Sequence, residues 1–579
     1  MNTVATPEKL AKTAKEIKES GATYTPKELA DFVAQQIVNE AQSQLKKSKL
    51  RILDPATGDG ELLISLLAKL KDIGIVDVEV HGFDIDDDAL KLSRTRIKKA
   101  YPKAQIYFSH SNFLNFIVAS ANPHDKGSLF EETAPDFDLI IANPPYVRTQ
   151  VMGAEQAQLL AKQFGLTGRV DLYFAFIIGM AMVLNPRGTC GVIVSNRFMT
   201  TRSGRSVRES IRDKFSIKRV WDLGDTKLFE AAVLPAVLLL GNDQKRSTDP
   251  IDFVSIYETT EASTTPAKSN VIEALSSEGV VALADGRNFA VKKGKLDLQT
   301  PLDSVWRVSN DESNRWLATV LDNTHLSFGD IGKIRVGVKT CADNVFIRDD
   351  WHTMEPDTTP ELLRNLTTHH IGCQYRSVEV DKPKAIVYPH EVYEGKRRAI
   401  DLDRYPNTRK YLSTHREQLE SRKYVIAGGR QWYEIWVPQN PSSWDRPKLV
   451  FRDIAERPTF WLDFQGSIIN GDCYWMILND GLDEDLLWLA ASVANSTFIE
   501  SFYDHSFNNK LYAGRRRYIT QYVERFPLPN PEKKSSKAIV SLAKKAFKSI
   551  DKTQRQQYIG RINDLVWSAF GVSCEESSR

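Results

Sequence analysis

Four consecutive residues, Asn143-Pro144-Pro145-Tyr146, combine the groups needed to hold a planar amine. An amide oxygen and a backbone carbonyl can accept the two hydrogens of an amino group. The prolines keep the turn stiff, and the aromatic ring can stack on the plane that carries the amine. That set suits transfer of a methyl group to an exocyclic amine. The tetrapeptide follows Phe137-Asp138-Leu139-Ile140-Ile141-Ala142, an apolar run that reads as a buried strand. It therefore sits at a strand's carboxyl end, where open α/β sheets bind ligands.

Two upstream stretches complete a candidate site. Asp54-Pro55-Ala56-Thr57-Gly58-Asp59-Gly60 closes an earlier strand and opens a helix. Its glycines let backbone approach a ligand at the helix start, although the spacing is not the dinucleotide G-x-G-x-x-G. Phe83-Asp84-Ile85-Asp86 ends the next strand, about where a carboxylate would hold a ribose diol. One Gly-rich turn alone is a weak signal. The turn, the acid and N-P-P-Y, in order and all at strand ends, are a strong one.

These residues need a scaffold, and residues 50–243 supply the pattern for it. Strand candidates are Leu50–Asp54, Val78–Asp84, Gln105–Phe108, Phe137–Ala142, Gly191–Ser195, Arg219–Leu223 and Val233–Leu240. Helical spacing marks Glu61–Ile73, Asp87–Ala100 and Asp171–Leu184. Strand–helix alternation with near-continuous apolar strands predicts an α/β fold with a doubly wound parallel sheet. The last two strands are joined by too few residues for a helical crossover, which predicts an antiparallel pair at one edge. Order weakens from Gly241 to about Thr300, and residues 258–269 read as a surface loop or linker. Beyond Leu317 the alternation is lost, and arginines neighbour aromatics, as in Arg430-Gln431-Trp432-Tyr433. A second, mixed α+β domain is predicted, with a helix-rich tail near Lys533–Phe570. The boundary is set at 1–315 and 316–579.

Composition excludes several classes. The chain has 579 residues, 42% hydrophobic and 26% charged, with a net charge of +3, so it is a globular protein and not a polycation. Nucleic-acid binding would need local basic clusters. The five cysteines form no C-x-x-C, and His369-His370 has no third ligand at metal spacing, so no metal site is expected. Cys190 and Cys341 lie in apolar contexts and read as core. The segment Met1–Ser20 is polar, and the longest apolar stretches fall short of the roughly 20 residues a membrane helix requires. A cytoplasmic protein that engages no membrane is expected.

In order and spacing the motifs resemble the N6-adenine DNA methyltransferases of bacterial restriction–modification systems, in particular the gamma class typified by the TaqI enzyme. Thr23-Tyr24-Thr25-Pro26, upstream of the Gly-rich turn, is similar to the motif that marks gamma order. The resemblance implies a Rossmann-like sheet that binds S-adenosyl-L-methionine. It assigns cofactor contacts to Thr25, Asp54, Pro55, Ala56, Gly58, Gly60, Asp84, Ile85, Asn112 and Phe113. Asn112 stands where the family usually has Asp. The catalytic set is Asn143, Pro144, Pro145 and Tyr146, and Phe229 resembles a second aromatic that contacts a flipped base. Gly329–Ala342 and Asn495–Pro529 resemble the start and end of a TaqI-like target-recognition domain. Arg202, Arg205, Arg208, Lys396-Arg397-Arg398 and Arg515-Arg516-Arg517 are candidate DNA contacts.

The resemblance further implies a monomer on double-stranded DNA and a cognate restriction endonuclease acting on the same site. Similarity to enzymes of the ClaI and BseCI type implies an ATCGAT-like target. Other readings stay open at this point: N4-cytosine methylation, methylation of RNA or protein glutamine by related N-P-P-Y enzymes, and an inactive DNA-binding module. The first usually carries Ser in place of Asn143. The intact turn and N-P-P-Y sets disfavour the last.

Overall fold

A computed structural model of the chain describes residues 24–42, 44–121, 136–146, 154–167, 171–229, 234–243, 250–297, 305–507 and 515–573. Thr23, Val233 and Cys574 lie outside them. The chain divides into two compact units, with the break after Asn310. That break coincides with the start of a helix at Asp311, five residues before the boundary expected from sequence.

In the first unit, eleven strands among the described residues form one mixed sheet. They are β1 (Leu50–Asp54), β2 (Val78–Asp84), β3 (Gln105–His110), β4 (Phe137–Ala142), β5 (Leu184–Ser195), β6 (Ser216–Asp222), β7 (Pro235–Gly241), β8 (Asp252–Thr259), β9 (Gly279–Ala282), β10 (Asn288–Leu296) and β11 (Val308–Ser309). The order is β11-β10-β8-β6-β7-β5-β4-β1-β2-β3, with β9 also on β10. From β3 to β5 all neighbours are parallel. The helices are α1 (Lys27–Glu40), α2 (Glu61–Asp72), α3 (Asp87–Ala100), α4 (Phe113–Ala121), α5 (Ala154–Gln163), α6 (Leu172–Val183) and α7 (Arg205–Lys214).

Burial explains why β4 reads as a continuous apolar run: all six of its residues are buried. Alternate side chains serve opposite faces. Phe137, Ile140 and Ala142 join the apolar cluster that includes residues of α4, α6 and α7. Leu139 and Ile141 join the one built with α1 and α2. Two covered faces make the sheet doubly wound, and the strand order reverses between β1 and β4. That is the switch point at which such sheets bind ligands.

Two expectations need correction. β6 and β7 do pair antiparallel, but not at an edge, because β7 lies between β5 and β6, and β8, β10 and β11 extend the sheet further. The described residues 250–297 are correspondingly better ordered than their composition suggests. β8 and β10 pair through eight residues. Lysines and a glycine in Val291-Lys292-Lys293-Gly294-Lys295 mask the period-two burial of Phe289 and Val291.

The second unit holds an antiparallel sheet. Its strands are β12 (Gly332–Val336), β15 (Lys448–Arg452), β16 (Phe460–Asp463) and β17 (Cys473–Leu478), and a separate hairpin joins β13 (His390–Tyr393) to β14 (Lys396–Ala399). The sheet order is β12-β17-β15-β16. Helices α8 (Asp311–Asp322), α9 (Asp485–Ala494), α10 (Thr497–Phe507), α11 (Lys534–Lys548) and α12 (Lys552–Ala569) contribute to an aromatic core in which Phe498 stacks on Phe570 at 4.2 Å. Leu326-Ser327 pairs antiparallel with Pro527-Leu528, bringing together the two ends of the stretch that resembles a recognition domain.

Two candidate DNA contacts, Arg208 and Arg516, are buried in the fold, and others pair with carboxylates at the surface. Arg516 is buried and holds Asp504 through two hydrogen bonds of 2.8 Å. Arg517 pairs with Asp453 at 3.1 Å, and Arg398 with Glu391 at 2.7 Å. Arg208 is buried and donates to the Thr201 carbonyl at 2.9 Å, while Arg205 pairs with Glu209. A buried guanidinium with its hydrogen bonds filled serves the fold, whereas the surface pairs of Arg205, Arg398 and Arg517 contribute little to it and leave those side chains exposed. Cys190 is buried as expected, but Cys341 is exposed, at φ +55°.

Candidate active site

The carboxyl ends of β1, β2 and β4 open into a cavity of about 570 Å³. Eleven of the residues assigned from sequence line it: Pro55, Ala56, Gly58, Asp84, Ile85, Asn112, Phe113, Asn143, Pro144, Pro145 and Tyr146. Sequence reasoning missed Tyr24, Asp86, Ser111, Leu172 and Phe176 among others. Tyr24, Asp86 and Ser111 stood inside stretches already singled out. Leu172 and Phe176 share one face of α6, but that helix is apolar all round, so nothing in its pattern separates a cavity wall from core.

The turn after β1 is held by its own acids. Asp54 Oδ1 accepts the Ala56 N–H at 3.0 Å, and Thr57 N–H bonds the Phe83 carbonyl at 2.9 Å, tying the turn to β2. Asp84 braces the same turn from β2: its Oδ2 accepts the Gly58 N–H at 2.8 Å and its Oδ1 the Asp86 N–H at 2.9 Å. Asp86 in turn caps α3 by accepting from Asp88 and Ala89. Gly60 begins α2 at φ +82°, and a side chain there would collide with Ser93. It shapes the turn and does not line the cavity. Gly60→Ala is expected to destabilise the protein by about 1 kcal/mol or more, read as a lowered Tm. An unchanged Tm would contradict this role.

Asp54 also lies behind the wall. It is fully buried, and its Oδ2 has no hydrogen-bond partner among the described residues. Burial, reinforced by Asp84 and Asp59, pushes its carboxyl up to about 8. Between the ordinary carboxylate value and that point, the folded state keeps a proton that the unfolded chain has lost. Stability therefore falls as pH rises through this window. Asp54→Asn is expected to flatten the dependence of Tm on pH between about 5 and about 8; an equally steep curve in the variant would refute the assignment.

Ile85 is 66% exposed although it is large and apolar, and it lines the cavity. An uncovered apolar blade beside Phe113 is suited to a flat ring. Asn112 caps α4, its Oδ1 accepting the Leu114 N–H at 2.9 Å, so its amide NH2 is the group turned to other partners. Asp84, Asp86, Asp87 and Asp88 give the rim negative charge.

At the opposite side, Asn143 is held from both ends of its amide. Its Nδ2 donates to Thr25 Oγ1 at 3.0 Å, and its Oδ1 accepts the Tyr146 hydroxyl at 2.8 Å. Burial pushes the Tyr146 phenol well above its usual range, so this hydroxyl stays a donor. The Tyr146 ring meets Tyr173 edge-on at 6.0 Å. Thr25 thus acts through Asn143 and does not line the cavity. Phe229 is not brought to the cavity either; it is buried in the cluster formed with α1 and α2. Its aromatic type drew it into the site reading, and the same apolar surface places it in the core.

Comparison with known proteins fits this geometry. The Eco57I restriction-modification methylase family matches residues 78–229, and the TaqI-like C-terminal specificity domain matches residues 390–528. The type II methyltransferase M.BanIII of Aneurinibacillus aneurinilyticus is 39% identical over 575 residues, covering 96% of this chain and 97% of its own. This chain belongs to the type II restriction–modification DNA methyltransferases. A more distant type II methyltransferase, M.BstVI of Geobacillus stearothermophilus, is 25% identical over 94% of the chain and 95% of its own length. The fold is shared with the type IIL restriction-modification enzyme MmeI, solved in complex with DNA, at a TM-score of 0.58 and 15% identity over 97% of this chain and 78% of that one. The second unit of this methyltransferase carries the TaqI-like specificity domain.

The methyl donor of these methyltransferases is S-adenosylmethionine, and the cavity fits it. A braced acid stands at the end of β2, Ile85 and Phe113 offer apolar surface for a purine, and the acidic rim suits a cationic sulfonium. No helix among the described residues is long and apolar enough to cross a membrane.

Proposed function

We propose that the chain methylates N6 of adenine within a specific duplex DNA site, so protecting that DNA from a cognate restriction enzyme. The observation that carries this reading is the hydrogen-bonded set Thr25–Asn143–Tyr146 at the cavity wall. An adenine N6 lone pair is delocalised into the ring and is a poor nucleophile. The Asn143 Oδ1 and the Pro144 carbonyl would accept the two N6 hydrogens and draw the nitrogen toward a tetrahedral shape. Thr25 keeps the amide from rotating away, and the prolines fix where the carbonyl points. S-adenosylmethionine supplies an electrophilic methyl group. Catalysis by the protein is then orientation and preorganised dipoles.

The target base lies inside the duplex and would have to be extruded to reach this wall. Tyr146 would stack on it, offsetting roughly 1–3 kcal/mol of the lost base stacking. Tyr146→Ala is accordingly expected to weaken productive DNA binding about tenfold or more, whereas Tyr146→Phe keeps the stacking ring. Equal losses in the two variants, measured as KM for DNA, would remove the stacking role. Asn143, where N4-cytosine enzymes usually carry Ser, supports adenine as the target. Similarity to the ClaI and BseCI type supports an ATCGAT-like site, and a methylation map with modified adenines in other contexts would refute it.

A further inference from the structure

The second unit carries a strip of cations and aromatic rings on chain segments tied by hydrogen bonds, of which only Arg397 was among the candidate DNA contacts read from sequence. Lys339 and Val437 exchange backbone hydrogen bonds of 3.0 and 2.9 Å, which ties the chain after β12 to the segment before Gln439. Gln439, at φ +63°, donates its side-chain amide to the Val336 carbonyl at 2.7 Å and accepts from Arg397 of β14 on its own carbonyl at 3.4 Å. Arg430 lies over the Trp436 ring at 4.9 Å, and Tyr424 meets the same ring edge-on at 4.9 Å. Three chain segments are thereby locked side by side. Lys339, Arg397, Lys423 and Tyr424 are exposed, and Arg430 and Trp436 are half-buried.

The charge on this strip is not neutralised locally. Lys339, Arg397, Lys423 and Arg430 form no ion pair with a described carboxylate. Of the acids close to these cations in sequence, Glu434 accepts the Gln431 N–H at 2.8 Å and approaches His390 Nδ1 to 3.9 Å, and Glu420 pairs with Arg416 at 2.8 Å. This differs from Arg398, Arg409 and Arg416, which each hold a carboxylate. Cations without ion pairs, carried on a tied backbone beside a guanidinium-stacked ring, suit a surface that tracks phosphates.

We propose that this strip carries the phosphate backbone of duplex DNA across the specificity unit, with Lys339, Arg397 and Lys423 as phosphate contacts. The proposal rests on the reading of the chain as a DNA methyltransferase. It places phosphate contacts on Lys339, ahead of the segment matched to the specificity domain, and takes Arg397 and Lys423 from within it.

The test is equilibrium binding of the full chain to a mixed-sequence duplex across a salt series, followed by fluorescence anisotropy. The variant Lys339→Gln/Arg397→Gln/Lys423→Gln is compared with Lys545→Gln/Lys548→Gln/Lys552→Gln, which removes the same charge from exposed positions of α11 and α12. Each phosphate contact contributes about 0.9 to the slope of log K against log salt, so the strip variant is expected to be shallower by about 2.7 and the control unchanged. Equal slopes in strip variant and wild type, or equal losses in strip and control variants, would overturn the proposal. Wild-type protein that binds no duplex DNA would sink the underlying functional reading with it. Unchanged near-UV circular dichroism, to which the nine tryptophans after Asn310 contribute, shows that the second unit of each variant is folded. A second measurement needs no variant. Cys341 is exposed within two residues of Lys339, so bound duplex is expected to slow its alkylation at least about tenfold relative to Cys373. Unprotected Cys341 at saturating DNA would count against the strip.

Discussion

Asn143→Ala is expected to lower the single-turnover rate of methyl transfer by roughly 10³-fold, on the order of 4 kcal/mol of transition-state stabilisation. The substitution removes the Oδ1 acceptor and leaves the Pro144 carbonyl to act alone. It also frees the Thr25 and Tyr146 hydroxyls that now grip the amide. Asn143 follows β4, with β1 between it and the Asp84 carboxylate at the end of β2, and its amide bonds Thr25 and Tyr146 rather than that carboxylate or the Gly-rich turn, so S-adenosylmethionine affinity should stay within a few-fold of wild type. The pairing of a collapsed rate with retained affinity is the diagnostic. A variant with near-normal turnover would show that polarisation of the amine lies elsewhere, and a variant that loses cofactor binding would show that Asn143 supports the cavity as a whole.

Asp84→Ala should fail in the opposite way. The carboxylate accepts two backbone N–H groups, from Gly58 and Asp86, and stands where a ribose diol would be held. Hydrogen bonds to a charged group contribute about 1.5–3 kcal/mol, so S-adenosylmethionine affinity is expected to fall at least about tenfold, and nearer a hundredfold if the turn shifts. Calorimetric titration reads the loss directly. At saturating cofactor the transfer rate should recover, because the amine-holding set is untouched. Unchanged affinity would refute the ribose assignment, and an unrecovered rate would mean that the turn also orients the methyl group.

The central sheet was legible because its strands are buried on both faces. Phe137–Ala142 has no polar alternation to confuse it except Asp138, and the motif residues fall at strand ends where the switch point requires them. The cavity was legible for the same reason: a carboxylate, a turn and an amide recur at fixed places along a parallel sheet. Hidden from the sequence were features that depend on what packs against a residue. Phe229 carries the right ring for a base contact, yet its burial with Leu29 and Val33 is a fact of tertiary packing. Arg516 sits in an arginine run that reads as a DNA contact until Asp504 and Glu500, from a helix just upstream, are seen to claim it. The strand β10 was obscured by its lysines and glycine, which leave the period-two pattern faint. In the second unit, Lys339 and Val437 are nearly a hundred residues apart in sequence, so no local pattern could join them into one strip.

The most direct test of the central claim is to incubate the protein with mixed-sequence duplex DNA and S-adenosylmethionine, digest the DNA to nucleosides, and identify methylated bases by mass spectrometry. N6-methyladenine is the predicted product, absent from the same reaction with Asn143→Ala. N4-methylcytosine, or DNA left unmethylated while RNA or protein becomes modified, would contradict it.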